Sequence, residues 1–511
     1  MATIVKSIGL KGLEGYVIGV EVQSLSGAEQ VSVIGLPDAS IKESKDRLKG
    51  ALHSITADIS GRHIIVLLSP TEQKKNGPMA DLAMAIAILK ETHQLTGNIP
   101  ESTAFLGALS LDGSIHETEG MLAAVMQAKE LGFQHIFVPD TIHGLKTIRN
   151  QSMLLPVSNL QQVVDHLNGI TQQITFPLTV DVDINQSNEA WGTDFSEIIG
   201  HEIPKRALIT AAAGGHNVLM SGPPGCGKSM LASAFPSILP EMKEKTMIDS
   251  FSLYQLAHES RALSSNPPYR HPHHSASAVS LIGGGTTPRP GEVSLAHGGA
   301  LFLDEMAEFP KKTLDMLRQP IEAGKVTISR VSGTVTYPAR FILIGATNPC
   351  PCGYKGAKDK YCTCTPKQIN SYQQRLSGPI LDRMDIHLQL EPISLATHTR
   401  EHQTDSETMK EQVTDARNRQ YARYGEELTN SIVPYETLMK KSPLSSRLRG
   451  LLQTWSMTYH FSNRVQVNLI CVARTIADLQ GHDMITEQDL DEALSYRFPA
   501  HVVKKISMVK E

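Results

Sequence analysis

The stretch Gly222-Pro-Pro-Gly-Cys-Gly-Lys-Ser229 decides how this chain is read. It matches the pattern Gly-x-x-x-x-Gly-Lys-Ser/Thr and stands between an apolar run at 217–221 and a helical start at 230–234. That strand–loop–helix setting is what the pattern requires. Gly222, Gly225 and Gly227 let backbone N–H groups close around phosphate oxygens, with Pro223, Pro224 and Cys226 completing the loop. The helix that follows adds its positive end. Lys228 is expected to reach the β- and γ-phosphates of ATP, and Ser229 to ligate Mg2+.

Outward from this loop, Ala300-Leu-Phe-Leu-Asp304-Glu305 is an apolar strand ending in two carboxylates. Asp304 is placed to hold the Mg2+ shell and Glu305 to polarise the attacking water as general base. A further apolar run, 341–344, leads to Asn348, an amide at a strand tip suited to positioning that water. Phosphate loop, Asp-Glu strand and Asn-tipped strand together resemble the core of an AAA+ ATPase. The segment Arg375-Leu-Ser-Gly-Pro-Ile-Leu-Asp-Arg383-Met-Asp-Ile is similar to that family's passage from helix to strand. The resemblance implies that Arg383 acts in trans on the nucleotide of a neighbouring subunit. Ser462-Asn-Arg464 resembles the opening of the family's sensor-2 helix, which implies that Arg464 contacts the γ-phosphate in cis.

At 511 residues the chain has room for about three domains. Residues 1–170 mix short β-like runs (17–22, 31–34, 64–68, 136–138) with helical stretches, the clearest at 81–90. A polar linker is expected at 171–194. Residues 195–393 are punctuated by Gly and Pro and carry the motifs above, with 261–297 expected to be an inserted loop or hairpin. Residues 394–511 read as helical, for example at 408–424 and 465–479. The expected fold class is therefore α/β: an N-terminal α/β domain, an AAA+ phosphate-loop core with a parallel sheet, and a C-terminal helical lid domain. No apolar stretch is long enough to span a bilayer, which argues against a membrane protein. The N-terminus lacks a basic region followed by an apolar run, so no secretory leader is expected. Six cysteines are too few for a disulfide scaffold, which makes the cytoplasm the expected compartment. A net charge of −4 means that any nucleic-acid surface must be local.

The N-terminal part resembles the Lon protease domain, whose activity rests on a Ser–Lys dyad. In Asn76-Gly77-Pro78-Met79-Ala80, Met79 stands in the serine's place, and around Gly120-Met-Leu122, Leu122 falls where the lysine would be. Neither side chain attacks a carbonyl or takes up a proton, so a scaffold, an interaction surface or part of a DNA path is expected, and not a protease.

Cys350, Cys352, Cys362 and Cys364 form two Cys-x-Cys pairs across a short Gly/Lys loop and predict a tetrahedral Zn2+ site. His271, His273 and His274 are expected to serve as polar loop residues. Between Ala323 and Lys358 there is no Asp or Glu, yet Lys325, Arg330, Arg340, Lys355 and Lys358 are present. A hairpin is expected at 326–330 and 334–337 around Ser332-Gly333. A ring repeating this surface would line a pore with positive charge, so these five residues are the candidate DNA contacts.

The segments Tyr269-Arg-His-Pro-His-His-Ser-Ala-Ser and Gly283-Gly-Gly-Thr-Thr-Pro-Arg-Pro-Gly-Glu-Val-Ser-Leu-Ala-His-Gly-Gly look like the magnesium-chelatase-like branch of AAA+ proteins. Over essentially the whole chain, the order of parts is similar to the ComM/YifB family of competence proteins. That resemblance implies a hexameric ring, single-stranded and branched DNA as partner, and branch migration in homologous recombination during natural transformation. The alternative is a magnesium-chelatase-type ATPase subunit that drives metal insertion into a porphyrin through a partner protein. The Lon-like domain and the Cys-rich loop favour the DNA motor.

Overall fold

The structure, a computed structural model, describes residues 4–35, 39–73, 75, 77–142, 154–170, 193–285, 288–330, 333–357, 360–393 and 404–498. The chain divides into two compact units. One comprises residues 188–242, 265–326 and 338–511, the other residues 1–187, 243–264 and 327–337. The contiguous division at 170, 195 and 394 expected from sequence differs from this partition, and packing supplies the reasons below.

The first unit is built on five strands: β1 (Val218–Ser221), β2 (Tyr269–Arg270), β3 (Ala300–Leu303), β4 (Ile342–Thr347) and β5 (Ile386–Gln389). Their order across the sheet is β2-β3-β4-β1-β5, and every neighbouring pair is parallel. β3 and β4 are buried along their whole length, as continuous apolar strands covered on both faces must be. The register sets Ser221 beside Thr347 and Leu303 beside Gly345. The carboxyl ends of β1, β3 and β4 therefore reach one edge, where open α/β sheets hold their ligands.

Helix α1 (Glu202–Gly214) is rich in alanine and ends at Gly215, whose φ of 75° supplies the left-handed cap. α2 (Lys228–Ala234) starts directly from the phosphate loop, and α3 (Arg318–Ala323) lies between β3 and β4 in sequence. α4 (Ser406–Tyr424), α5 (Ser446–Tyr459), α6 (Asn463–Gln480) and α7 (Glu487–Ser495) follow the sheet. Asp405, Ser445, Ser462 and Thr486 start them by accepting the backbone N–H of the third residue of each helix. Leu208 of α1, Met220 of β1, Val413 of α4, Trp455 of α5 and Leu469 of α6 belong to one apolar core. This shared core is why the helical region joins the sheet in one unit. It also encloses a charged knot: the Asp478 carboxylate is fully buried and accepts from Arg423 at 3.0 Å, Arg474 at 2.9 Å and Asn430 at 2.9 Å.

The stretch 261–297, expected to be an irregular insertion, carries β2, a helix at Ala278–Ile282, a hairpin of Gly283–Gly284 with Arg289–Pro290, and a turn of helix at Glu292–Leu295. Arg270 grips Glu292 at 2.6 Å and 2.8 Å, which ties the strand to that last turn.

In the second unit four strands, Val5–Lys11, Glu14–Ser26, Arg62–Ser69 and Gln30–Ile34, lie side by side in that order. Only the last pair is parallel. A three-stranded parallel sheet of Thr103–Phe105, His135–Pro139 and Leu154–Val157 accompanies them. The helix Asp81–Glu91 is buried from Asp81 to Leu89. Asp81 survives there because Ser44 and Arg47 donate to it, the latter at 2.9 Å; burial still pushes its carboxyl up to about 6. Met79 and Leu122 are both buried apolar side chains, so the positions resembling the Lon dyad are packing positions.

The helix Glu244–Leu256 groups with this unit: Gln255 accepts from Gly120 N at 3.1 Å, and Lys245 pairs with Glu130 at 3.1 Å. The expected basic hairpin is present as Lys325–Arg330 and Gly333–Pro338. Its 327–337 portion groups with the N-terminal unit, and Gly12 shows why. At φ 68°, a Cβ on Gly12 would lie 2.8 Å from the Thr336 carbonyl, so the hairpin's return strand rests on the turn between the first two strands. Ser332 and Lys358, and nearly all of the expected 171–194 linker, lie outside the described residues.

Candidate nucleotide site

Gly222 to Ser229 connect β1 to α2. Gly225 and Gly227 have φ of 78° and 88°, which turn the loop sharply into the helix. At Gly222 a Cβ would lie 2.6 Å from the Leu390 carbonyl, so only glycine lets the loop pass there. Lys228 is buried, and its ammonium donates to Gly222 O at 2.6 Å, Pro223 O at 3.0 Å and Asn348 Oδ1 at 3.2 Å. The expected phosphate-binding lysine and the expected strand-tip amide thus touch each other.

Ser229 Oγ donates to Asp304 Oδ2 at 3.0 Å, so the hydroxyl and carboxylate expected to share Mg2+ are adjacent. An oxygen pair of this kind suits a hard divalent cation that keeps several waters. Glu305 follows at a φ of 47°, an uncommon left-handed conformation for a residue with a side chain, and its carboxylate is half exposed. Asp304 Oδ1 fixes this turn by accepting from Glu305 N at 2.9 Å. One cleft is lined by Pro224, Gly225, Gly227, Lys228, Ser229, Asp304, Glu305, Thr347 and Asn348.

Two expected residues stand elsewhere. Arg383 and Arg464 do not line that cleft among the described residues; they converge on Glu322 of α3. Arg383 Nη2 lies 2.6 Å from Glu322 Oε2, and Arg464 Nη2 lies 2.5 Å from Glu322 Oε1. Partial burial opposes ionisation of Glu322, but the hydrogen bonds and charges of the two arginines outweigh it and hold its carboxyl below the usual range. Arg383 Nη1 donates to Pro379 O at 2.7 Å, and its Nε is buried without a hydrogen-bond partner. Two guanidiniums on one carboxylate leave a net positive pair.

The four cysteines are brought together. Their Sγ atoms all lie within 4.8 Å of one another, with Cys350 3.4 Å from Cys352 and 3.7 Å from Cys362. None is joined by a disulfide. Tetrahedral Zn2+ with bonds of about 2.3 Å requires sulfurs about 3.8 Å apart, so the set has metal-site dimensions.

The candidate DNA residues separate into distinct settings. Lys325 and Arg330 are exposed on the hairpin. Arg340 is also exposed; its side chain lies over Gly324, and its backbone N–H donates to His297 Nδ1 at 3.1 Å. Lys355 is exposed on the cysteine loop. Sequence reasoning assigned no role to Glu322 and set His274 aside as a loop residue. His274 Nδ1 lies 3.8 Å from Glu305 Oε2, because β2 runs parallel beside β3 and both chains leave the sheet at the same edge. Strand adjacency is the signal that would have found it.

Comparison with known proteins agrees with this architecture. The family model described as "Magnesium chelatase, subunit ChlI" matches residues 194–398, "Subunit ChlI of Mg-chelatase" matches 20–142, and "Magnesium chelatase, subunit ChlI C-terminal" matches 403–497. The chain is 36% identical over 500 residues to the uncharacterized protein YifB of Escherichia coli K12, covering 97% of each. It is 35% identical over 512 residues to competence protein ComM of Haemophilus influenzae, covering 99% of each. With the magnesium-chelatase 38 kDa subunit of Rhodobacter capsulatus it shares 28% identity over 174 residues, 30% of this chain and 50% of that protein. The parallel sheet, the phosphate loop and these matches together give an AAA+-type ATPase core with a C-terminal helical region. The chain belongs to the ComM/YifB family of magnesium-chelatase-like proteins.

Proposed function

We propose that the protein is an ATP-hydrolysing ring motor that moves on DNA, a branch-migration helicase serving homologous recombination in natural transformation. The observation that carries the ATPase part is the cleft in which Lys228, Asn348, the Ser229–Asp304 pair and Glu305 meet. Ser229 and Asp304 would hold Mg2+, which would supply positive charge against the charge developing on the phosphate oxygens. Lys228 exchanges its loop carbonyls for β- and γ-phosphate oxygens, and Asn348 fixes the direction of that ammonium. Glu305 accepts a proton from water as the new oxygen–phosphorus bond forms and the β–γ bridging bond breaks. Arg383 completes the site of the next subunit, and Arg464, held beside it on Glu322, serves the γ-phosphate in cis. The four thiolates take Zn2+.

The DNA part is supported by kinship with competence protein ComM over 99% of each chain, and by the exposed Lys325 and Arg330 on the hairpin. A ring of subunits repeats that charge around its axis. The second reading, a chelatase-type subunit, is favoured by the three family models, although the chelatase subunit of Rhodobacter capsulatus matches only 30% of this chain. Steady-state ATP turnover with and without single-stranded and branched DNA separates the two. DNA stimulation supports the motor, and indifference to DNA favours the chelatase-type reading.

A further inference from the structure

The cysteine loop does not stand apart from the nucleotide cleft. Cys350 follows Asn348 by two residues and is fully buried. Gly353, at φ 83° and buried, donates its N–H to Cys350 O at 2.9 Å. A Cβ on Gly353 would lie 2.6 Å from Pro224 Cδ and 2.7 Å from Pro224 Cγ. The loop's backbone therefore lies directly on the phosphate loop. Lys355 N donates to Cys350 Sγ at 3.3 Å, and Gln373 reaches back to Pro349 O at 3.2 Å, so both sides of Asn348's exit are held.

Among the described residues, 350–364 contain no helix or strand, and only Cys350 and Gly353 are buried. Tyr361, beside Cys362, is 96% exposed. Ordering so many residues costs roughly 1 kcal/mol or more each, and apolar burial here offsets almost none of it. A cross-link through a cation is the source of order that the four converging thiols offer.

We propose that Zn2+ held by Cys350, Cys352, Cys362 and Cys364 makes this loop a brace for the nucleotide site. The brace presses on Pro224 from one side and fixes Asn348, and through it Lys228, from the other. Metal occupancy then sets the affinity for nucleotide, although no thiol touches the phosphates. The proposal rests on the zinc reading, so the test separates them. Full-length wild type, Cys362→Ser/Cys364→Ser and Gly353→Ala are compared for zinc content by elemental analysis and for binding of fluorescent ADP with Mg2+ present. The wild type is also stripped with a zinc-selective chelator and then reloaded with Zn2+.

Expected are about one zinc per wild-type chain, none in the double variant, and full zinc in Gly353→Ala. ADP affinity falls about tenfold, or about 1.4 kcal/mol, in the double variant, in the stripped wild type and in Gly353→Ala. Reloading the stripped wild type restores it, a rescue that general destabilisation does not give. Absence of zinc from wild type purified without chelator overturns the zinc reading and the brace with it. Zinc that is present and removable, with ADP affinity unchanged within twofold in the stripped wild type and in Gly353→Ala, overturns the brace alone.

Discussion

Arg383→Ala separates a catalytic arginine from a structural one. The side chain holds the Pro379 carbonyl at 2.7 Å and Glu322 at 2.6 Å, and both bonds disappear in the variant. Glu322 is 46% exposed and keeps Arg464 at 2.5 Å, so no buried carboxylate is stranded. Arg383 itself is only 11% exposed, so loss of its side chain costs about 1–3 kcal/mol of stability. An arginine that stabilises a transferring phosphoryl group contributes about 10³–10⁵ in rate, or about 4–7 kcal/mol. The two roles therefore predict different things: a shift of a few degrees in the melting temperature, or loss of nearly all turnover in a folded protein. Steady-state ATP hydrolysis beside a thermal melt distinguishes them. Because the arginine stands outside its own cleft, mixing is the sharper assay. An Arg383→Ala chain brings an intact phosphate loop and a Lys228→Ala chain brings an intact arginine, so a blend forms some complete sites and recovers part of the activity. Turnover of Arg383→Ala within tenfold of wild type, or no recovery in blends shown to exchange subunits, refutes the reasoning.

Other perturbations test separate parts of the structure. Glu305→Gln keeps the phosphate cradle and removes the base, so ADP affinity should hold in a binding titration while turnover falls about 10²–10⁴-fold. Asp478→Ala strands Arg423 and Arg474 in the core and should lower stability by about 3–5 kcal/mol, read by denaturant unfolding. Burial, aided by the charge of Arg340, holds the His297 imidazole down at about 4 against an ordinary 6.5. A depressed histidine gives stability that is present above about 6.5 and is lost as pH falls toward 4. At about 1.4 kcal/mol per pH unit this is on the order of 3 kcal/mol, and the unfolding profile of His297→Gln should lack that slope.

The nucleotide cleft was legible because its parts are local. A glycine-lysine-serine loop, an apolar strand ending in Asp304-Glu305 and a strand ending in Asn348 each carry their chemistry within a few residues. Parallel pairing of β1, β3 and β4 then had little freedom in where to bring them. The arginines were legible as residues but not as a pair, since nothing near Arg383 or Arg464 in sequence points to Glu322. The helices Glu202–Gly214 and Glu244–Leu256 were missed because serine, threonine and alanine fill buried positions where periodicity looks for large apolar residues. The hairpin was visible at 326–337, but its seat on Gly12 is a contact more than 300 residues distant in sequence.

The claim that ties these parts together is that ATP hydrolysis drives movement on DNA. It is tested most directly by mixing purified wild type with ATP, Mg2+ and a labelled four-way DNA junction, and following turnover and strand products together. The account predicts that the junction stimulates hydrolysis and is resolved into product duplexes, and that Lys228→Ala and Glu305→Gln leave it intact. Equal ATP turnover with and without DNA, with the junction unchanged, would contradict it.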